Sequence, residues 1–361
     1  MTGAATSKPP ARSGGAVGRG PAACTAALAD FIRREAGAAT VDIDACAQLA
    51  GGAIQENWKL TARIEGGPFE GSHELVLRTD SQSYVPVSRP RWQEFRLLQV
   101  ARRAGVRVPE PLWLDDAGTV FGKPFYLMRF VPGMAEGHRL VKEGAIADPE
   151  ALTEELGGEL AKLHAVKPPV AELDFLGPPP GDTADRDIGA YRAYLDGIER
   201  AYPTFEWGLR WCELHAPEPG ESVLLHRDFR TGNYLVQNGR LVAVLDWEFA
   251  DWGDPMSDIG WFCAQCWRFG RGDRQAGGIG SRAAFYHGYE EASGRAIDPQ
   301  AVEFWEVMAH LRWAIIALQQ GARFTRDGEV SLDLALTGRI RPDELGYAIL
   351  NMTAPERWRA E

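Results

Sequence analysis

The stretch from Leu224 to Pro255, LLHRDFRTGNYLVQNGRLVAVLDWEFADWGDP, concentrates side chains that could do chemistry. Besides His226 and Asn233 it holds five carboxylates, those of Asp228, Asp246, Glu248, Asp251 and Asp254. Such a set can form a solvated surface, a cage for a hard cation, or an acid–base group that works beside such a cage. The spacing of the residues and the elements that carry them decide between these hypotheses.

Asn233 and Asp246 are expected to face one point, although they lie 13 positions apart. Between them, Asn238-Gly239 separates the apolar runs YLVQ and RLVAVLDW, which is the strongest short signal for a β-hairpin. The hairpin would place Asn233 before its first strand and Asp246 at the end of its second. An amide oxygen with one or two carboxylates suits Mg²⁺. The pattern therefore predicts a magnesium site from Asn233, Asp246 and, two residues on, Glu248.

Asp228 closes the tripeptide HRD in a loop that follows a predicted strand, Val223 to Leu225. The spacing H-R-D-F-x-x-x-N, which ends at Asn233, matches the catalytic-loop signature of kinases, with Phe229 in place of the usual Leu. Phosphoryl transfer requires a base that orients the attacking hydroxyl and a metal that neutralises phosphate oxygens. The motif therefore predicts phosphoryl transfer with Asp228 as the base.

Each of these residues also has a structural interpretation. Asp228 can cap a turn, Asn233 can be a turn residue, and Asp246 can be a plain strand-end carboxylate. Glu248 fits a metal site and a solvated loop equally well. His226 fits a structural hydrogen-bonding role better than the role of a proton carrier.

The elements around this stretch differ between the two halves of the chain. From Val41 to about Val131, three β-like runs predict strands: NWKLTARIE, HELVLRTD and PFYLMRFV. One helix, RWQEFRLLQVARRAG, is predicted between the last two. This order predicts a small antiparallel sheet with one helix.

After Val131 the periodicity becomes mostly helical. Four segments follow a 3.6-residue period: EALTEELGGELAKLHAV, IGAYRAYLDGIERAY, SRAAFYHGYEEASG and VEFWEVMAHLRWAIIALQQGA. A further helix is predicted over DIGWFCAQCW, with Ser257 as its N-terminal cap.

Composition excludes several classes of function. Lys and Arg number 39 against 50 Asp and Glu, a net charge of −11, which argues against nucleic acid as a partner. No apolar run of 18 residues or more is present, so no membrane span is predicted. The first 25 residues lack the apolar segment of a secretory signal and are predicted to be a disordered tail. Five cysteines are too few for a disulfide framework, so we expect a cytoplasmic location.

The motifs LLHRDFRTGNYLV and VAVLDWEFADWGDPMSDIGW resemble the aminoglycoside phosphotransferase family, which is related to protein kinases, over about residues 40 to 320. The resemblance implies an α+β, bilobal, protein-kinase-like fold: a nucleotide-binding lobe over 26–131 and a catalytic, acceptor-binding lobe over 132–361. It implies that Asp228 is the base and that Mg²⁺ is held by Asn233 and Asp246, with Glu248 at a further acidic position. The same resemblance implies that GDPMSDIG, with Asp254 and Asp258, braces the catalytic loop and opens a helix.

The resemblance also implies an ATP site. Gly51 and Gly52 precede a strand, as a phosphate-covering turn would, although they do not form G-x-G-x-x-G. Arg78 occupies the position of the phosphate-binding Lys, and Glu94 that of its partner; Arg differs from Lys in geometry, and an ordinary surface ion pair is the alternative. FYLMRFVPG resembles the linker between the lobes, where an adenine edge would meet backbone groups of Arg129, Phe130 and Val131.

Three classes of function remain open from the sequence. The first is an ATP-dependent kinase for a small-molecule hydroxyl; the second is a nucleotide-binding module without transfer activity; the third is a metal-dependent hydrolase, which would be expected to have more His ligands. For the kinase, the acceptor is either a hydroxyacyl-CoA or another alcohol, or an aminoglycoside at a 3′-type hydroxyl. The arginine-rich segment CWRFGRGDRQAGGIGSR is interpreted as a solvated loop, with a mobile loop at the acceptor site as the alternative.

Overall fold

The computed structural model describes residues 20–49, 55–80, 89–326 and 332–355. Contacts between Cα atoms divide the chain into two units. The smaller unit comprises residues up to 86 together with 111–130, and the larger comprises 87–110 together with 131 onward.

The smaller unit is built on a five-stranded antiparallel sheet in the order β1-β2-β3-β5-β4. Its strands are β1 Thr40–Gln48, β2 Gln55–Glu65, β3 Gly71–Asp80, β4 Pro111–Asp115 and β5 Phe125–Arg129. The three strands named from the sequence correspond to β2, β3 and β5, and their prediction is confirmed. The strands β1 and β4 complete the sheet at its two edges.

One face of this sheet is covered by helix α1, Thr25–Ala36. Its apolar residues Leu28, Phe31 and Ile32 are buried in one cluster with side chains from the strands. The helix ends at Gly37, whose φ of 63° gives the left-handed conformation that glycine adopts without strain. A short 3-10 helix, Pro21–Ala23, precedes it. Residues 20–25 of the predicted tail are therefore ordered, whereas residues 1–19 lie outside the described residues.

The larger unit is mostly helical, so the predicted α+β class is confirmed. Its helices are α2 Arg91–Arg103, α3 Gly137–Leu140, α4 Pro149–His164, α5 Thr183–Asp196, α6 Pro203–His215, α7 Pro255–Cys263, α8 Arg282–Ser293, α9 Pro299–Arg326 and α10 Leu332–Thr353. The segments predicted as helices from their periodicity correspond to α2, α4, α5, α8 and α9. The sequence analysis did not identify α3, α6 and α10.

The predicted hairpin is present as a two-stranded ribbon, β7 Tyr234–Gln237 and β8 Arg240–Val244. Both turn residues have positive φ, 51° at Asn238 and 74° at Gly239, as a type I′ turn requires. The second strand ends at Val244, so Asp246 lies beyond the ribbon and not at its last position. Each outer edge of the ribbon also has a backbone partner: Met134 exchanges two hydrogen bonds with Val236 of β7, and Arg107 O accepts one from Val244 N of β8.

A second short ribbon positions the remaining loops. Strand β6, Val223–Leu225, pairs with β9, Asp251–Gly253, which the sequence analysis did not predict. Residues 226–233 therefore connect β6 to β7, and residues 245–250 connect β8 to β9. Helix α7 begins directly after β9, and its N-terminal cap is Asp254, whose Oδ1 accepts a hydrogen bond from Met256 N at 2.8 Å. The prediction that Ser257 caps this helix is wrong, because the helix begins two residues earlier.

Candidate active site

Asp228 lies in the loop between β6 and β7, and both oxygens of its carboxylate accept hydrogen bonds. Oδ1 accepts from Trp261 Nε1 at 3.0 Å and from Arg230 Nε at 3.1 Å. Oδ2 accepts from Asn233 Nδ2 at 2.5 Å. Only 8% of Asp228 is exposed. Donors on both sides thus fix the orientation of a carboxylate that is almost withdrawn from solvent.

Asn233 connects this loop to the segment that carries Asp246. Its Nδ2 donates to Asp228 O at 2.9 Å as well as to the Asp228 carboxylate, so both amide hydrogens point toward Asp228. Its Oδ1 therefore points away from Asp228. The backbone carbonyl of Asn233 accepts a hydrogen bond from Leu245 N at 2.8 Å, and Leu245 is the neighbour of Asp246. The hairpin has brought the two predicted metal ligands to the same end of the ribbon.

His226 has the structural role that was favoured from the sequence. Its Nδ1 accepts a hydrogen bond from Asp228 N at 3.2 Å, and its Nε2 therefore carries the proton and donates to Leu245 O at 2.8 Å. The ring is completely buried, and burial lowers the pKa of His226 below its ordinary value. A neutral imidazole thus ties the loop of Asp228 to the loop of Asp246.

Asp258 in α7 braces the catalytic loop from the other side, as the resemblance implies. Its carboxylate accepts hydrogen bonds from His226 N at 2.7 Å and from Arg227 N at 2.8 Å. Burial would raise the pKa of Asp258, but its contacts with His164 and His226 outweigh burial and hold the pKa below the ordinary value. His164 Nε2 lies 3.4 Å from Asp258, so α4 also supports this brace.

Arg227, the middle residue of HRD, has a φ of 62°, which is uncommon for a residue with a side chain. Its guanidinium binds both carboxylate oxygens of Asp187 in α5, at 2.9 and 3.5 Å. Arg312 of α9 donates a hydrogen bond to the carbonyl of Arg227. Helices α5, α7 and α9 therefore all hold the residue that precedes Asp228.

Asp246 and Glu248 occupy the loop between β8 and β9. Asp246 is half-buried and has a φ of 66°, whereas Glu248 is buried. Each of the two loops of the site thus contains one residue with a positive φ, Arg227 in 226–233 and Asp246 in 245–250. Such backbone conformations are frequent at functional sites. Among the described residues, the carboxylates of Asp228, Asp246 and Glu248 do not form a group of three ligands within 4.8 Å of one another. Asn233, Asp246 and Glu248 as ligands of a metal stay a prediction.

The arginine-rich segment after α7 is only partly solvated. Residues 276–280 are buried, and Thr231 of the catalytic loop donates a hydrogen bond to Gly277 O at 2.7 Å. A Cβ at Gly277 would lie 2.6 Å from Thr231 Oγ1, so glycine allows this close approach. The interpretation as a solvated loop is therefore wrong for 276–280 and holds for Gly272 and Asp273, which are exposed.

The residues predicted to contact ATP lie in both units. Arg78 in β3 and Glu94 in α2 are 7% and 1% exposed, so neither belongs to a surface ion pair. Glu94 pairs with Arg91 of the same helix. Gly51 and Gly52 lie outside the described residues, and the pairing of Arg78 with Glu94 stays a prediction.

The proposed adenine contact involves Arg129, Phe130 and Val131. The N–H of Phe130 donates to Glu74 O at 3.0 Å, so it extends the sheet and is already engaged. The side chain of Arg129 bonds to His73 Nδ1 at 3.1 Å. The contact of the remaining backbone groups with a nucleotide stays a prediction.

The model of the phosphotransferase enzyme family, APH, matches residues 45–305. The chain belongs to this family. The members of this family are phosphotransferases by name. The motif around Asp228 and the braced loop described above lie within the matched region.

Curated proteins similar to this chain include an acyl-CoA dehydrogenase family member and a kinase. Acyl-CoA dehydrogenase family member 10 of Mus musculus is 30% identical over 194 residues, which cover 53% of this chain and 18% of the relative. The 4-hydroxytryptamine kinase of Psilocybe cubensis is 23% identical over 297 residues, which cover 72% of this chain and 77% of the relative. The chain therefore spans less than a fifth of the first relative's length.

Two solved structures have the same fold as this chain. A protein of Ralstonia eutropha assigned to the aminoglycoside phosphotransferases has a TM-score of 0.70 at 22% identity, over 92% of this chain and 99% of that one. The ternary complex of aminoglycoside phosphotransferase APH(4)-Ia with AMP-PNP and hygromycin B has a TM-score of 0.56 at 18% identity, over 89% and 98%. Of the helices within the described ranges, none has both the length and the hydropathy of a membrane span.

The sequence analysis missed three residues that contact Asp228 or its neighbour Arg227. Arg230 follows Asp228 by two positions in HRDFR, so the sequence itself places a cation next to the predicted base. This signal could have identified Arg230. Trp261 lies 33 positions from Asp228 and Asp187 lies 40 positions from Arg227. No local pattern connects residues so far apart, so these two contacts depend on the packing of α5 and α7.

Proposed function

We propose that the chain transfers the γ-phosphoryl group of ATP to a hydroxyl of a small molecule, with Asp228 as the base and with Mg²⁺ held by Asn233 and Asp246. The observation that carries this proposal is the position of Asn233. Its side chain donates to Asp228, and its backbone accepts from the residue next to Asp246. A proton acceptor and two oxygen ligands therefore belong to one hydrogen-bonded assembly.

The donor set fits magnesium. Asn233 directs its amide nitrogen toward Asp228 and its oxygen away, and Asp246 adds a half-buried carboxylate. Mg²⁺ prefers such oxygen ligands and fills its shell with water and phosphate oxygens. When it is bound, it neutralises charge on the phosphates. Glu248 stays a predicted additional ligand.

Asp228 orients the attacking hydroxyl and takes its proton. The hydroxyl oxygen forms a bond to the γ-phosphorus while the bond from that phosphorus to the bridging oxygen breaks, which gives ADP and a phosphate ester. Trp261, Arg230 and Asn233 hold the carboxylate in place, so little reorganisation is needed during the transfer.

The acceptor is proposed from two kinds of relatives. The similarity to acyl-CoA dehydrogenase family members supports an acyl compound that carries a hydroxyl group, and the similarity to 4-hydroxytryptamine kinase supports a phenolic amine as a second class. Solved relatives act on aminoglycosides such as hygromycin B. The acceptor is therefore best identified by screening hydroxyacyl compounds, aminoglycosides, sugars and amino alcohols for ADP release.

We predict that Asp228→Asn abolishes transfer and preserves ATP binding. The substitution keeps the shape of the side chain but removes the proton acceptor, so kcat should fall by about a hundredfold to ten-thousandfold. ADP release with the best acceptor of the screen measures kcat, and calorimetric titration with ATP and Mg²⁺ measures binding.

Asp196→Asn is the matched control, because Asp196 is an exposed carboxylate at the end of α5. Its kcat should equal that of the wild type. Full transfer activity in Asp228→Asn would contradict the role of Asp228. ATP binding by the wild type without transfer to any acceptor would instead favour the nucleotide-binding module.

A further inference from the structure

Arg89, in the segment that leads into α2, contacts the loop between β8 and β9 through both its backbone and its side chain. Its N–H donates to Glu248 O at 3.3 Å, and its Nε donates to Ala250 O at 2.8 Å. Its guanidinium also lies 3.6 Å from the carboxylate of Asp251, the first residue of β9. Three contacts from one residue therefore hold the second half of the loop that carries Asp246 and Glu248.

The contact with Asp251 places Arg89 where the two loops of the site meet. Asp251 pairs with Leu225 in the ribbon of β6 and β9. The catalytic loop leaves this ribbon directly after Leu225, and the loop that carries Asp246 joins it at Asp251. A cation bound at this pair of residues can therefore fix the position of one loop relative to the other.

Asp251 also belongs to a chain of ion pairs that ends beside the predicted base. Its other carboxylate oxygen lies 3.3 Å from the guanidinium of Arg186 in α5, and Arg186 lies 3.0 Å from Asp187. Asp187 pairs at 2.9 Å with Arg227, which precedes Asp228. The charges alternate in sign along this chain, and such a network has a larger effect than isolated surface pairs. It connects the segment before α2 to the catalytic loop.

The other contacts of Arg89 lie in α2 and on one aromatic ring. Its Nη1 donates to Gln93 Oε1 at 3.3 Å, and its carbonyl accepts from Arg91, the partner of Glu94. Its guanidinium lies 5.7 Å from the centre of the Phe175 ring. The Arg89 side chain is 19% exposed, so its position is determined by protein contacts more than by solvent.

We propose that Arg89 is a positioning residue for the metal site: it fixes the loop 245–250 so that Asp246 and Glu248 can bind Mg²⁺ beside Asp228. This inference rests on the proposed function, because it assumes that the loop binds Mg²⁺. Arg89 acts through the backbone of the loop and not by contact with the substrate. The role requires a guanidinium, because a planar fork binds a carbonyl and a carboxylate at the same time, whereas an ammonium group is a single point of charge.

The first experiment measures how strongly Mg²⁺ supports ATP binding by the wild type, Arg89→Gln and Arg89→Lys. Calorimetric titration of the full chain with ATP, in EDTA and in saturating Mg²⁺, gives the ratio of the two Kd values. This ratio should be about tenfold smaller in Arg89→Gln than in the wild type, because residues that orient metal ligands contribute about ten- to hundredfold to metal affinity. Arg89→Lys should give an intermediate ratio, since lysine keeps the charge but not the fork.

Arg96→Gln is the matched control, because Arg96 is an exposed arginine of α2 whose side chain bonds to Gln99. Its ratio should equal that of the wild type. An unchanged ratio in Arg89→Gln would overturn the inference. Weaker ATP binding to the same extent in EDTA and in Mg²⁺ would also overturn it, because damage to the fold does not distinguish the two conditions.

The second experiment combines Arg89→Gln with Asp246→Asn, which removes a predicted ligand. If Arg89 acts through the loop of Asp246, the double variant should have nearly the same ratio of Kd values as Asp246→Asn alone. Two reductions that multiply in the double variant would show that Arg89 acts elsewhere, and this would overturn the inference.

Hydrogen exchange of the free chain provides a measurement that needs no ligand. The amides of residues 245–251 should exchange faster in Arg89→Gln than in the wild type, whereas those of α8 should be unchanged. Equal acceleration in both segments would assign the effect to general destabilisation. No acceleration in 245–251 would show that Arg89 does not hold the loop. Either result would overturn the inference.

The wild type separates failure of this inference from failure of the proposed function. If Mg²⁺ strengthens ATP binding and ADP release requires Asp228, the proposed function holds, and the results for Arg89→Gln decide the inference by themselves. If Mg²⁺ has no effect on ATP binding, or if ADP release does not require Asp228, the proposed function fails and the inference fails with it.

Discussion

At the scale of single residues, Arg227 combines an unfavourable backbone conformation with a favourable side-chain contact. A left-handed φ costs a residue with a side chain about 1 kcal/mol. The Arg227 guanidinium is paired with Asp187, and the two groups are 15% and 8% exposed. Burial would raise the pKa of Asp187, but Arg227 and Arg186 outweigh burial and lower it. The ion pair thus fixes a strained residue directly before Asp228.

We predict that Asp187→Ala lowers the free energy of unfolding by about 3 kcal/mol, because it leaves Arg227 buried without its carboxylate. Arg227→Gly should lower the free energy of unfolding by less than Asp187→Ala does, since glycine adopts a φ of 62° without strain. The double variant should resemble Arg227→Gly. Urea denaturation of the four proteins measures these differences.

Asp185→Ala, an exposed position on the same helix, is the control for Asp187→Ala and should change stability by less than about 0.5 kcal/mol. If the losses of Asp187→Ala and Arg227→Gly simply add in the double variant, the two side chains do not interact.

At the scale of elements, two glycines let α4 and α8 approach backbone to backbone. A Cβ at Gly157 of α4 would lie 2.1 Å from Phe285 O, and one at Gly288 of α8 would lie 2.0 Å from Glu154 O. This close contact fixes α4, whose His164 contacts both Tyr289 of α8 and the bracing carboxylate of Asp258. The helix pair therefore supports the active site from a distance.

We predict that Gly288→Ala lowers the free energy of unfolding by about 2–3 kcal/mol, because the added methyl group must push the two backbones apart. Gly189→Ala is the control: Gly189 is exposed in α5 and a Cβ there meets nothing within 4 Å. The free energy of unfolding of that variant should rise by about 0.5–1 kcal/mol, because Ala has a higher helix propensity than Gly. Thermal unfolding compares the two, and equal melting temperatures would refute the close-contact argument.

The elements that the sequence predicted are those with strong local signals. Asn238-Gly239 fixed the position of the hairpin, and the HRD motif located the loop before it. Helix α6 begins with Pro203, which is typical of a first helical position, so its start had a signal that was not used. Helix α10 contains Pro342 in its interior, where sequence rules expect a break. Contacts such as Trp261 to Asp228 have no local signature and require the fold.

At the scale of the whole molecule, the net charge of −11 does not describe the surroundings of Asp228. Arginine side chains surround Asp228. Arginine side chains also surround Glu306 of α9, a residue that is 4% exposed. Burial raises the pKa of Glu306 to about 7, although Arg282 and Arg268 lower it. The charged and titratable groups that interact with the Glu306 carboxyl include Arg282, Arg268, Glu303, Cys263, Cys266 and Tyr286.

We predict that the chain loses stability as pH rises through about 7. A carboxyl group whose folded pKa is raised stabilises the fold below its ordinary pKa, and this contribution is lost as pH rises through the folded pKa. Because the pKa of Glu306 is raised from its ordinary value of 4.5 to about 7 in the folded chain, the free energy of unfolding should fall by about 3 kcal/mol over this pH interval. Melting temperatures at about pH 5 and about pH 8 measure it.

Glu306→Gln, which cannot ionise, should show a smaller decrease over the same interval. Exposed Glu303→Gln on the same helix should retain the decrease of the wild type. A decrease of equal size in Glu306→Gln and in the wild type would show that another group is responsible.

The ribbon that ends beside Asp246 has only two strands, and a two-stranded ribbon normally offers two free edges to other polypeptides. Here Met134 and Arg107 occupy hydrogen-bonding positions on both edges. These contacts hinder the addition of a strand from a second molecule, which is a common first step of aggregation, at the ribbon that connects Asn233 to Asp246.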